Sequence, residues 1–238
     1  EPAVEEEDER ISQSVRFEAQ AGKTYTLDKV LSVYSSQDGV DDPHREAQEA
    51  LARVGNFEEV YDRHVDAWER EWEEGDVEIY GNPDWQRKLR FTLYTLKKNG
   101  WVGNGRAGIG AKGFDELAGE AYNGHDFWDT YIHMLPYFAA TKPEVARSLL
   151  LYAHRNLPAA KEKAGSQGFE GAWYAWETAD DGREATPRWV GLKDKLVRIY
   201  TGERGYHKSA DIAYGVWHYF LATNDERFMR EEGGAEIL

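Results

Sequence analysis

Helical periodicity alternates with long glycine-containing loops over most of this sequence, and this alternation is the feature that most constrains its fold. Residues 84–98, 141–165 and 211–220 each place apolar side chains on one face of a helix. Loops at 99–123 and 165–187 separate these segments, and loops of this length in a compact domain are usually functional. Helical hairpins whose loops gather at one end predict an α-solenoid or an α/α barrel.

The N-terminal third combines a strand-like pattern with two helical ones. Apolar residues alternate over 15–36 and predict strands, but this is too little chain for a stable sheet, so we expect the edge of a larger β structure. A helical period begins at His44, and Asn56 and Glu59 have the spacing of a cap at the start of a second helix. We expect these two helices to link the strand region to the helices that follow.

The charge and the absence of cysteine from the sequence exclude several classes of function. The 44 acidic and 29 basic residues give a net charge of -15, which opposes binding to nucleic acid or to an anionic membrane surface. Without cysteine the chain can form no disulfide, thiolate nucleophile or cysteine-ligated zinc. No run of about 18 apolar residues predicts a membrane span, and no charged-then-apolar leader predicts a signal peptide. We therefore expect a soluble, cytoplasmic protein.

Two tryptophan–carboxylate pairs, Trp128–Asp129 and Trp176–Glu177, lie in or beside the long loops. A flat ring can cover the C–H face of a sugar while the adjacent carboxylate accepts hydrogen bonds from its hydroxyl groups. One such pair is better explained as a core tryptophan beside a capping or turn acid. Two pairs make the sugar-site and the core interpretations comparably strong.

A polar segment before the last apolar stripe carries three further candidates. Glu203 has the chemistry of a general acid, although a surface turn would have the same sequence. His207 in isolation is more often structural. Asp211 fits the first turn of a helix, where the dipole favours negative charge, better than it fits a catalytic role.

A metal site could in principle be formed by His125, Asp126, Asp129 and His133. Their spacing fits no standard zinc pattern, and the apolar residues between them are typical of a wall rather than of a ligand cage. We therefore predict no bound metal.

Four longer motifs follow one another along the chain, namely GEAYNGHDFWDTYIHMLPYF, PEVARSLLLYAHRNLPAAKEKA, GFEGAWYAWETADDGREATP and YHKSADIAYGVWHYFLAT. In this order they resemble glycoside hydrolase family 65, which contains the maltose, trehalose and kojibiose phosphorylases and related α-glucoside hydrolases. The resemblance implies a mainly α fold. Residues 76–238 would be the first part of an (α/α)6 catalytic barrel, preceded by a helical linker at 41–75 and by the end of a β-sandwich at 1–40.

The same resemblance implies an inverting α-glucoside phosphorylase that acts on α-linked glucose disaccharides, or a related hydrolase. In such enzymes a carboxylic acid protonates the glycosidic oxygen while phosphate attacks from the opposite face, or a second carboxylate activates water instead. The expected partners are an α-glucoside sugar and inorganic phosphate as co-substrate, with no cofactor. The remainder of a barrel, or a homo-oligomer, would complete the structure.

Five residues carry the implied sugar site. Trp128 and Asp129 match the FWD motif that grips the nonreducing glucosyl unit. Trp176 and Glu177 match a WE motif near the acceptor sugar, and His207 matches the histidine of an E-x-H motif. These residues are the predicted substrate-binding set.

Other positions depart from the family pattern. Gly205 stands at the position of the general-acid glutamate, and glycine has no proton to donate. Glu203 is a substitute that would need backbone movement. Tyr131 replaces the second acid of FWDTE, Ala175 replaces the proline before WE, and the loop at 114–118 is longer than expected. The resemblance therefore implies impaired catalysis in this chain.

Two alternatives stay open. The chain could be a noncatalytic helical module that only binds carbohydrate or serves as a structural scaffold, which the glycine at the acid position favours. It could also be another helical-barrel hydrolase similar to the glucoamylases, whose motifs fit less well.

Overall fold

Helices dominate the structure. The computed structural model describes residues 3–7, 10–100, 102–103, 105–113 and 122–238, so the predicted loop at 114–118 lies outside the described residues. The chain forms two compact units, residues 1–66 and 67–238. None of the described helices is long and apolar enough to cross a lipid bilayer.

The first unit contains a hairpin and the helices predicted after residue 44. Strands β1 (Ala3–Glu7) and β2 (Arg10–Ser14) pair antiparallel, and α1 (Pro43–Arg53) and the start of α2 (Phe57–Glu73) follow. The predicted cap of α2 is confirmed, because Oδ1 of Asn56 accepts a hydrogen bond from the Glu59 amide at 2.9 Å.

The predicted strands over 15–36 are wrong for this structure. No strand is present among these residues, which lead instead into a short 3-10 turn at Ser36–Asp38. Leu31 and Val33 are 73% and 88% exposed. Strands are stabilised by pairing with a neighbour, and β1 and β2 pair only with each other within the described chain.

Three helices form the core of the second unit. This unit contains α3 (Pro83–Asn99), α4 (Leu135–Thr141), α5 (Pro143–Arg155), α6 (Leu157–Ser166), β3 (Trp189–Leu192), β4 (Lys195–Arg198), α7 (Thr201–Arg204), α8 (His207–Thr223), α9 (Glu226–Glu231) and α10 (Gly234–Ile237). Helices α4, α5 and α8 pack on one another. Their apolar faces meet through fully buried side chains such as Leu135, Leu150 and Ile212, and Phe228 of α9 covers the same cluster.

Three details of the second unit differ from expectation. A π-helical turn at Thr130–Met134 runs into α4, in a stretch for which the sequence predicted no helix, and the β3–β4 hairpin had no clear strand signal. Helix α8 begins at His207 rather than near Asp211. Asp211 is therefore one turn inside the helix, and its prediction as a residue of the first turn is wrong.

Candidate functional site

The start of α8 lies against the FWD segment. The ring of Trp128 contacts the imidazoles of His133 and His207 edge-on, with ring centroids 5.1 and 5.6 Å apart. Asp129 follows Trp128 immediately and precedes the π-helical turn, to which it makes no capping hydrogen bond. Two segments that are about 80 residues apart in sequence thus meet around one indole ring.

Asp211 adds a second carboxyl group to this cluster. Burial raises the pKa of Asp211; His207 and His133 oppose the rise, while the charge of Asp129 adds to it. Oδ2 of Asp211 is buried without a hydrogen-bond partner within the part of the chain that the structure describes. Two carboxyl groups and two imidazoles beside an indole ring provide acceptors, donors and an apolar face, which are the groups that bind a sugar.

Trp176 reaches the same region through Phe127. The two rings meet at right angles with centroids 5.0 Å apart, and Phe127 is only 2% exposed. Glu177 is buried, and its Oε1 lies 2.7 Å from Nδ1 of His125. The segment Trp176–Glu177 is therefore held beside the segment that precedes Trp128.

Glu184 fixes the backbone that carries Trp176 and Glu177. Its carboxylate accepts hydrogen bonds from the amides of both residues, at 3.0 and 3.2 Å, and from Nζ of Lys163 at 2.5 Å. Burial by itself raises the pKa of Glu184, but the hydrogen bonds from Lys163 and Thr186 outweigh it and hold the pKa below the usual value. No motif in the sequence indicated this role.

The structure places Gly205 in a tight position. A Cβ at residue 205 would lie 2.6 Å from the Thr201 carbonyl oxygen and 2.7 Å from Cδ1 of Trp176. The Gly205 carbonyl also accepts a hydrogen bond from Nε1 of Trp173 at 3.1 Å. A glutamate at this position would need Trp176 to move, and the general-acid assignment stays a prediction.

Glu203 lies in α7, and its carboxylate is paired with Arg198 of β4. It lines a cleft of about 260 Å³ together with Glu184, Thr186 and Gly202. The structure thus joins Trp128 to His207 and holds Trp176 nearby, whereas Glu203 is engaged by an arginine of the hairpin.

A buried ion pair lies beneath the site. Lys208 and Asp126 are 0% and 2% exposed in their side chains, and Nζ of Lys208 is 2.8 Å from Oδ2 of Asp126. Burial lowers the pKa of the Lys208 ammonium, and the charge of Asp126 opposes this.

The sequence drew attention to Asp126 only as a metal-ligand candidate. No group of three or more potential metal ligands is found in the described ranges.

Comparison with known proteins decides the family. Residues 90–238 match the glycosyl hydrolase family 65 central catalytic domain, and residues 1–71 match the family 65 N-terminal domain. The chain belongs to glycosyl hydrolase family 65. The predicted fold class, mainly α with the first part of an (α/α)6 barrel, is confirmed, while the boundaries at residues 40 and 75 stay predictions.

Several curated relatives resemble this family 65 chain over nearly all of its length. A kojibiose phosphorylase of Caldanaerobacter subterraneus subsp. tengcongensis is 39% identical over 97% of the chain and 30% of that protein. A kojibiose hydrolase of Flavobacterium johnsoniae is 34% identical over 90% of the chain and 29% of that protein. The chain thus spans about a third of the length of these relatives.

A solved structure gives the same result for the fold. It is assigned as a kojibiose phosphorylase from the human microbiome, and it superimposes with a TM-score of 0.65 at 25% sequence identity. The superposition covers 80% of this family 65 chain and 24% of the solved chain.

Proposed function

We propose that this chain is the sugar-binding part of an α-glucoside phosphorylase or hydrolase. The contact between Trp128 and His207 carries this proposal, because it brings two separate family motifs together at one ring. Asp129 directly follows Trp128 in the sequence, and the ring of Trp176 packs against that of Phe127. Trp128 would cover the C–H face of the glucosyl unit while Asp129 accepts its hydroxyl groups.

The reaction of the complete enzyme would be an inverting displacement at the anomeric carbon. A carboxylic acid protonates the departing glycosidic oxygen, and phosphate or an activated water attacks from the opposite face. Relatives named as phosphorylases and as a hydrolase both support this class. We propose inorganic phosphate as co-substrate for the phosphorylase case, with no bound cofactor.

We further propose that this chain alone binds sugar without turning it over. Gly205 has no acidic side chain, and the Glu203 carboxylate is paired with Arg198. Both observations support a chain that lacks an available proton donor. The expected result is no detectable phosphate-dependent release of glucose 1-phosphate from kojibiose, maltose or trehalose, and family-like turnover by this chain would contradict it.

Sugar binding is tested by calorimetry with kojibiose and glucose on the protein and on Asp129→Asn. Loss of a charged hydrogen-bond acceptor is expected to weaken binding by about tenfold or more. Asp194→Asn is the matched control, because Asp194 is exposed in the β3–β4 turn. Equal Kd values for Asp129→Asn and Asp194→Asn would indicate that the sugar binds away from Asp129.

A noncatalytic module is the second candidate function. The contact of Trp176 with Gly205 favours it, because the indole lies where the side chain of an acid would begin. Absence of binding even at high sugar concentration would leave only a structural role.

A further inference from the structure

Lys208 makes three short polar contacts in the interior of the second unit. Its ammonium donates hydrogen bonds to the Asp126 carbonyl at 2.8 Å and to Oγ1 of Thr178 at 2.6 Å, in addition to its 2.8 Å ion pair with the Asp126 carboxylate. Thr178 is only 3% exposed. An ammonium has three donors, and these three acceptors satisfy all of them.

Each of the three residues adjoins one part of the proposed sugar site. Asp126 is two residues before Trp128, Thr178 directly follows Glu177, and Lys208 directly follows His207. The backbones of Asp126 and Thr178 also bond each other in both directions, at 2.9 and 3.3 Å. The ammonium is therefore the point where the two loop segments and the first turn of α8 are joined.

Packing alone does not account for a charge pair in this place. Taking two charges out of water costs free energy that their attraction does not always recover. Apolar residues of similar volume often stabilise a fold equally well or better. Here the geometry is specific: Tyr131 also donates its hydroxyl to Oδ2 of Asp126 at 3.2 Å, and a Cβ at Gly108 would lie only 2.7 Å from Oδ1. Directional contacts of this kind fix one arrangement of the segments, which an apolar contact does less strictly.

We propose that Lys208 is a positioning residue that holds the Trp128–Asp129 segment, the Trp176–Glu177 segment and His207 in register. That a sugar is the ligand rests on the function proposed above, whereas the positioning role of Lys208 does not depend on it. Lys208 would act through its neighbours, without touching the sugar.

Thr178→Val tests the link without leaving a buried charge unpaired, because Asp126 still pairs with Lys208. Thr178→Ser is the matched control that keeps the hydroxyl, which also donates to the Ala175 carbonyl at 3.1 Å. The protein is labelled with 5-fluorotryptophan, and the fluorine resonances of Trp128 and Trp176 are assigned by substitution with phenylalanine. Trp217, which is half exposed on α8, supplies an internal reference resonance.

The valine variant is expected to shift the Trp176 resonance and leave that of Trp217 in place. Its Kd for kojibiose should rise by about tenfold, the effect on an equilibrium constant of losing one hydrogen bond to a charged group. The Thr178→Ser variant should keep both the Trp176 resonance and the Kd for kojibiose of the unmodified protein. Unchanged resonances and an unchanged Kd, even with a lower unfolding midpoint, would overturn the positioning role and leave only a structural one.

The two proposals fail separately. If the unmodified protein binds no glucoside, the sugar-binding function is wrong, while the fluorine resonances still decide the positioning role. Should Thr178→Val not fold, the double variant Lys208→Met with Asp126→Asn removes both charges and is measured in the same way. An unshifted Trp176 resonance in that variant would also overturn the proposal.

Discussion

One carboxylate outside the proposed sugar site helps to hold the Trp176–Glu177 segment in place. Glu184 receives hydrogen bonds from the amides of Trp176 and Glu177 and from Lys163. These contacts hold the pKa of Glu184 below 4.5, although burial opposes them. Glu184 therefore links the stability of this loop to pH.

The substitution Glu184→Gln is expected to lower the free energy of unfolding by about 1–3 kcal/mol near neutral pH, because hydrogen bonds to a charged acceptor are lost. A carboxyl whose pKa is depressed in the folded state contributes stability above its unfolded pKa, near 4.5, and loses it as pH falls through the folded pKa. Urea denaturation should show a wild-type advantage at neutral pH that shrinks in acid. The exposed Glu170→Gln should show neither effect, and a constant difference at all pH values would exclude the charge as its cause.

Gly205 is expected to tolerate no side chain. A Cβ there would lie within 2.7 Å of both the Thr201 carbonyl oxygen and the Trp176 ring, so Gly205→Ala should cost about 1–3 kcal/mol of unfolding free energy as an overpacked site. Gly191→Ala is the control, because no atom lies within 4 Å of its added Cβ. Equal unfolding midpoints for the two variants would show that Trp176 moves aside freely.

Local sequence could name candidate residues for the proposed site but not the contacts that connect them. Trp128, Asp129 and His207 were identified by their chemistry and by the family resemblance, and the structure brings them together. Lys208 and Asp126 are 82 residues apart, and no local pattern shows that two such charges meet in a core. Long-range polar contacts of this kind become visible only in the folded chain.

At the scale of elements, the helices were predictable and their junctions were not. The Thr141–Glu144 spacing predicts a capping box, but the Thr141 hydroxyl donates to the Tyr137 carbonyl in the last turn of α4, and no side chain caps α5. Periodicity reports which face of a helix is buried, which is why α3 appears as expected, whereas the single helical stretch predicted at 141–165 is divided into α5 and α6. The turn between α4 and α5 depends on tertiary packing that periodicity does not describe.

The end of α8 depends on a left-handed residue. Asn224 has φ 52° and its amide donates to the Phe220 carbonyl. A left-handed conformation costs a residue with a Cβ about 1–2 kcal/mol, less for asparagine and least for glycine. Asn224→Ala should therefore lower the unfolding midpoint, whereas Asn224→Gly should leave it unchanged or raise it in thermal denaturation. Equal losses in both variants would show that the asparagine side chain, rather than the left-handed backbone, stabilises the helix end.

At the scale of the whole molecule, the order of motifs along the chain predicted the fold that the family comparison confirms. The strands expected over 15–36 are the exception, because alternation shows which residues could form a strand without showing whether a neighbouring strand is available. Composition added only a bulk property, the surplus of acids. That surplus has a physical consequence of its own.

The surplus charge should make stability rise with salt at neutral pH. With 44 acidic and 29 basic residues the net charge is -15, and such self-repulsion destabilises the compact state. Sodium chloride screens it, since the Debye length falls from about 30 Å at 0.01 M to about 10 Å at 0.1 M. The unfolding midpoint should therefore increase over this range.

The stabilisation by salt should disappear or change sign near the isoelectric point. At a pH of about 4.9 the net charge vanishes, so salt screens chiefly the attractive ion pairs, such as those of Arg147 with Asp225 and Glu232. The midpoint should then fall slightly or stay constant as sodium chloride is added. A midpoint that falls with salt at neutral pH as well would mean that these local attractions outweigh the repulsion of the whole molecule.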